Sequence, residues 1–246
     1  MRCLAFILFF SATAAAAGGA EPPPDQRLVA GRLPCAQPWD GRSHGWRQLG
    51  WELMKRTSVE AELEMRAVDP AEDGLYRTPL LVWSCPGATA ALGERALANL
   101  RRHLKLGGML WIDDPQAEPG GAFDRSVRRL VERLFPRSAL QPVAWDHVLF
   151  KTFFLVSDVA GRVRAKDRLL GVALDERLAV VYSQNDMLGA VSRDLYGAWE
   201  FAAEPGGELQ RERTFQLGIN LIYYALCLDY KDDRVHLPFI LKRRRL

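Results

Sequence analysis

The chain has 246 residues, and 48% hydrophobic with 26% charged is the balance of a globular protein with a sizeable core, not of a disordered or fibrous one. Its net charge of +3, from 33 basic and 30 acidic residues mixed along the sequence, is too small a bias to argue for a nucleic-acid partner.

Arg2, the apolar run LAFILFF (4–10) and the small-residue stretch SATAAAAGGA together have the pattern of a secretory signal. The apolar run falls well short of the roughly 18 residues that a bilayer span needs. Residues 1–20 are therefore expected to be a signal and its cleavage region, cut between Ala15 and Ala20. Export to the periplasm or cell envelope follows, with no transmembrane span in the mature chain. A stiff Pro-rich spacer (EPPPD) occupies 21–26, one α/β domain is expected over 27–230, and a basic tail runs over 231–246. Of four cysteines, Cys3 leaves with the signal. Cys35, Cys85 and Cys227 allow at most one intramolecular bridge, and spacing does not choose the pair. The absence of any C-x-x-C pair argues against metal-finger and thioredoxin-type readings.

RLVAGRL (27–33) reads as a first strand. Ser43 then suits the N-cap of a helix with Trp46, Leu49, Leu53 and Met54 at helical spacing. VEAELEMRAV (59–68) alternates as an edge strand does, whereas TPLLVWSC (78–85) is the continuous apolar run of a strand covered on both faces. Ala96, Leu97, Leu100 and Leu104 mark an amphipathic helix ending in Arg101, Arg102 and Lys105, cations that suit the negative end of its dipole. Gly107 is its expected left-handed cap, and Gly108 turns the chain directly into a strand over 109–113. After a Pro/Gly-rich loop, a helix begins near Asp124. HVLFKTFFLV (147–156) and RLAVVYS (177–183) read as further strands, and a helix over 208–228 is apolar enough to be buried but too short in its apolar part to cross a membrane. This order predicts a layered α/β fold with a largely parallel central sheet flanked by helices.

In such sheets ligands bind beyond the carboxyl ends of the strands. Asp113, Asp114, Asn185 and Asp186 are expected there. Adjacent strand residues face opposite ways, so Asp113 should be held beneath the loop while Asp114, extended before Pro115, points into the crevice. With His147, the three aspartates would make a hard or borderline metal site if they converge, but no H-E-x-x-H-type spacing requires it. The alternative is that the aspartates accept turn N–H groups and His147 bonds backbone. Asn220, the lone amide in LGINLIYYALCL, must be satisfied, either by a neighbouring loop or in a pocket. Gly218 would let that helix approach the sheet. Trp39, Trp46, Trp51 and Trp83 either fill core or line a sugar-stacking surface. GRSHG (41–45) matches G-x-S-x-G but lacks the strand that a nucleophile elbow needs. Cys85 ends a strand as a nucleophile might, yet Pro86 has no N–H for an oxyanion hole. Rossmann and P-loop glycine patterns are absent.

The segments LLVWSCPG, LRRHLKLGGMLWIDDP, FDRSVRRLVERLFP, DHVLFKTFF, RLAVVYSQND, RTFQLGINLIYYAL and YKDDRVHLPFILKRR occur in this order. Together they resemble the bacterial family known as domain of unknown function 4159, over about residues 27–244. The resemblance implies a class I glutamine-amidotransferase-like, or flavodoxin-like, fold. It transfers no catalytic residue, because none is established for the family, and the Gly-x-Cys-x-Gly elbow of an amidotransferase is missing here. Related domains often serve as binding or assembly modules. The expectation is thus a non-catalytic envelope protein without a cofactor, binding a partner protein or a small polar ligand. A hydrolase, with or without the assistance of a metal, using Asp113, Asp114, His147 and Asp186 is the alternative.

Overall fold

The computed structural model describes residues 27–37 and 42–226. Short apolar runs become strands and amphipathic runs become helices, in the order β1 (Ala30–Arg32), α1 (Arg42–Arg56), β2 (Arg66–Ala67), β3 (Leu80–Trp83), α2 (Glu94–Lys105), β4 (Met109–Asp113), α3 (Ala122–Leu134), β5 (Gln141–Pro142), β6 (Leu170–Leu174), β7 (Arg177–Ser183), α4 (Met187–Ala190) and α5 (Gly207–Leu226). The seven strands form one sheet in the order β2-β1-β3-β4-β7-β6-β5. The strands from β2 to β7 pair in parallel, while β6 and β5 add an antiparallel edge. A layered α/β fold with a largely parallel sheet is what the strand pattern predicts.

The period of two along each strand divides the core between two layers. Leu80, Val82, Met109 and Trp111 pack with α1, α4 and α5, whereas Leu81, Trp83, Leu110 and Ile112 pack with α2 and α3. Every residue of β3, β4 and β7 is buried, which explains why these strands read as unbroken apolar runs. Where α2 ends, Gly107 takes φ 117° and the Gly108 N–H donates to the His103 carbonyl, so the glycine pair stops the helix as expected.

Four expectations need correction. Ser43 is not a cap, because α1 already begins at Arg42, and Ser43 lies in its first turn. Residues 59–68 give only the two-residue β2 and an isolated bridge between Ala61 and Leu28. Residues 147–156 are not a strand: Val148–Lys151 form a 3-10 turn, and beyond it the N–H groups of Phe153 and Phe154 donate to the Asn220 side chain instead of to a sheet. Gly218 admits Leu49 of α1, not the sheet, since a Cβ there would sit 2.9 Å from a Leu49 methyl. The signal region over 1–20, the spacer over 21–26, Trp39, Cys227 and the basic tail over 231–246 lie outside the described residues. Trp46 and Trp83 are core, and Trp51 is exposed.

Candidate functional site at the strand carboxyl ends

Ser84, Asp113 and Ser183 continue one face of three neighbouring parallel strands. Trp83 pairs with Ile112 and Asp113 with Ser183, so these polar residues form a row at the carboxyl edge, on the side covered by α1 and α4. All three are buried, and among the described residues Ser84 Oγ has no hydrogen-bond partner. The row is closed from above because Gly45 brings α1 onto α4. A Cβ at Gly45 would lie 2.1 Å from the Leu188 carbonyl oxygen, so only glycine permits that approach.

Asp113 is held as predicted. Its two oxygens accept the N–H groups of Met187 at 2.9 Å and Leu188 at 2.8 Å, the otherwise unsatisfied donors at the start of α4. Complete burial, and secondarily the charge of Asp186, push its carboxyl up to about 7 against the pull of those donors. Asp114 departs from expectation. It is 1% exposed and does not face a crevice; its oxygens accept the N–H groups of Gln116 at 3.0 Å and Glu118 at 3.2 Å, folding the loop back on itself. Burial raises it to about 6.

Asp186 sits in left-handed backbone, φ 55° and ψ 62°, and caps α4 by accepting the Gly189 N–H at 3.0 Å. It also takes the guanidinium groups of Arg42 at 2.8 Å and Arg162 at 2.5 Å. Burial raises its carboxyl, and the two arginines oppose the shift. Arg42 Nη2 reaches the Pro115 carbonyl too, at 2.9 Å, so one side chain joins α1, the β4 loop and the β7 turn. Asn185 is equally committed: its amide donates to the carbonyls of Val159 and Lys166 and accepts the Lys166 N–H. On the opposite sheet face Asp124 accepts from Tyr182 Oη, Gln184 Nε2, Gly120 N and Arg128 Nε.

Asp113, Asp114, Asn185 and Asp186 are thus brought to one edge, whereas His147 and Asn220 lie elsewhere. The His147 ring packs 5.4 Å from Tyr224, whose hydroxyl accepts the Leu178 N–H at the amino end of β7. At about 3.3 Å per residue, that is roughly 15–20 Å from the carboxyl end of the strand. His147 Nδ1 accepts the Leu149 N–H, and the ring borders a cavity of about 470 Å³ beside β5 and β6. Asn220 accepts the Phe153 and Phe154 N–H groups and donates to the Phe154 carbonyl, which is the neighbouring-loop reading. Among the described residues no three His, Cys, Asp or Glu side chains are grouped to hold a metal ion.

Strand order reverses between β1 and β3, the crevice where open α/β sheets bind ligands. Here Cys35, following β1, is disulfide-bonded to Cys85, following β3. The bridge ties the two strand ends together and removes Cys85 as a free thiol. Sequence reasoning missed Arg42, Arg162 and Asp124; for Arg42 the ion-pair partner is 144 residues away, and nothing local signals it.

No helix among the described residues is long and apolar enough to cross a membrane. No curated protein matches the chain. The family described as domain of unknown function (DUF4159) matches residues 28–226, from the first bridge to the end of α5, and the chain belongs to that family.

Proposed function

We propose that the protein is exported and works in the periplasm or cell envelope as a non-catalytic binding module, without amidotransferase chemistry, for a partner protein or a small polar ligand. What carries this reading is the occupation of the strand-end carboxylates: the oxygens of Asp113, Asp114 and Asp186 are engaged by N–H donors and guanidinium groups of the chain itself. Groups so used hold loops in position. The Cys35–Cys85 bridge agrees with an oxidising compartment, as does the signal-like N-terminus. The separation of His147 from the aspartates speaks against the hydrolase alternative.

The best candidate for contact is the hairpin after α4. Asp194 Oδ1 accepts the N–H groups of Tyr196 and Ala198, and the guanidinium groups of Arg193 at 3.7 Å and Arg211 at 4.4 Å lie over the Trp199 ring. This clamp presents Leu195, 84% exposed, and Tyr196, 95% exposed, at its tip. A rigidly held aromatic anchor is a common feature of binding hot spots. A photoreactive residue placed at 196 in envelope preparations should give a discrete adduct, with none from a control at exposed Trp51 on α1. Adducts at both positions, or at neither, would count against the reading.

A further inference from the structure

Charge that is mixed along the sequence is segregated in the fold. Every exposed side chain of α3 is charged: Arg125, Arg128, Arg129 and Glu132. On the exposed side of α2, Arg95, Arg102 and Lys105 outnumber Glu94. With the half-buried Arg101 and Arg133 and the buried Asp124 included, the two helices carry an excess of five positive charges, more than the +3 of the whole chain. The cations of α1 are used differently. Arg42 pairs with Asp186, Arg47 with Glu64, Lys55 with Glu52 and Arg56 with Glu212. Among the described residues Arg95, Arg102, Lys105, Arg125 and Arg129 have no such carboxylate. Long cationic side chains left unmatched over one helical layer form a surface complementary to an extended anionic one.

Apolar groups sit among these cations. Leu106, at the end of α2 beside Lys105, is 68% exposed, and the half-exposed Tyr76 ring lies 5.8 Å beneath the Arg102 guanidinium. An aliphatic and an aromatic side chain flanked by cations suit a lipid headgroup region, where apolar bodies dip inward and charges stay at the phosphates. Phosphate-backbone binding alone has no use for Leu106.

We propose that the α2–α3 layer is a docking face for an anionic phospholipid surface. It lies on the sheet face opposite α1, α4 and α5. The test is co-sedimentation of the purified protein with vesicles containing phosphatidylglycerol in phosphatidylcholine, against phosphatidylcholine alone. Binding to the anionic vesicles should be stronger by on the order of tenfold or more and should weaken steeply with added salt. Arg125→Glu/Arg129→Glu should abolish most of that difference, and Leu106→Asp should weaken binding at constant salt. The pair Arg47→Glu/Lys55→Glu on α1 changes net charge by the same amount and should leave binding intact. Equal binding to both vesicles, an equal loss from the α1 pair, or tighter binding to an oligonucleotide at the same salt would each overturn the proposal. The last outcome would point to nucleic acid.

Discussion

Asp113→Ala removes the acceptor of two buried N–H groups, those of Met187 and Leu188, at a place that the α1–α4 contact closes to water. Each buried donor left unpaired costs about 1–3 kcal/mol. Relief of the repulsion from Asp186 returns part of this, since that charge helps to raise the Asp113 carboxyl. A net loss of about 3–4 kcal/mol is expected, which for a domain of this size lowers Tm by roughly 6–16 °C. Asp114→Ala also frees two N–H groups, of Gln116 and Glu118, but these belong to a surface loop whose neighbours Gln116 and Glu118 are not buried. Water can replace the lost acceptor there, and about 1 kcal/mol is expected. Urea denaturation of both variants, checked for an unchanged m-value, measures the difference. A neutral Asp113→Ala, or an Asp114→Ala that is the more damaging of the two, would refute the assignment of Asp113 as the strut beneath α4.

The raised carboxyl of Asp113 gives stability a pH signature. Because its carboxyl is raised to about 7, the folded state holds the proton more tightly than the unfolded state. This contribution is complete below about 4 and disappears as pH rises through 7, so stability should decline over that window and the decline should flatten in Asp113→Asn. Loss of the Cys35–Cys85 bridge, by reductant or Cys85→Ala, frees two positions 50 residues apart and should cost about 4 kcal/mol in chain entropy; thermal melts with and without reductant compare the two. Asn220→Leu strands the N–H groups of Phe153 and Phe154 and should cost about 2–4 kcal/mol, read from urea midpoints. Mass spectrometry of protein from the native envelope should find a mature N-terminus near residues 16–21; an intact Met1 would contradict export with cleavage.

The parallel centre of the sheet was legible because burial on both faces leaves a plain signal, an unbroken apolar run, in β3, β4 and β7. The antiparallel edge was not. The β6–β7 hairpin turns on Asp175 and Glu176, both at positive φ, in place of the Asn-Gly or Gly-containing pair that usually announces such a turn. The run 147–156 was misread because apolar content fits a 3-10 turn pressed on α5 as well as it fits a strand. What decides is the Asn220 amide, which draws the backbone N–H groups away from any sheet. At the strand ends, alternation placed Asp113 correctly. For Asp114, extended backbone before Pro115 does not decide where the carboxylate goes: two loop N–H groups curl around it. The guanidinium partners of Asp186 come from opposite parts of the chain, and only the fold brings them together.

The role of the strand-end carboxylates as internal struts is tested most directly by hydrogen exchange at the amides of Met187, Leu188 and Gly189. These amides should be protected close to the global limit in the native protein. In Asp113→Ala, Met187 and Leu188 should lose that protection while the β4–β7 ladder keeps its own. Fast exchange at Met187 and Leu188 in the unaltered protein would mean that Asp113 is not engaged by the chain and stands free for a ligand or for catalysis.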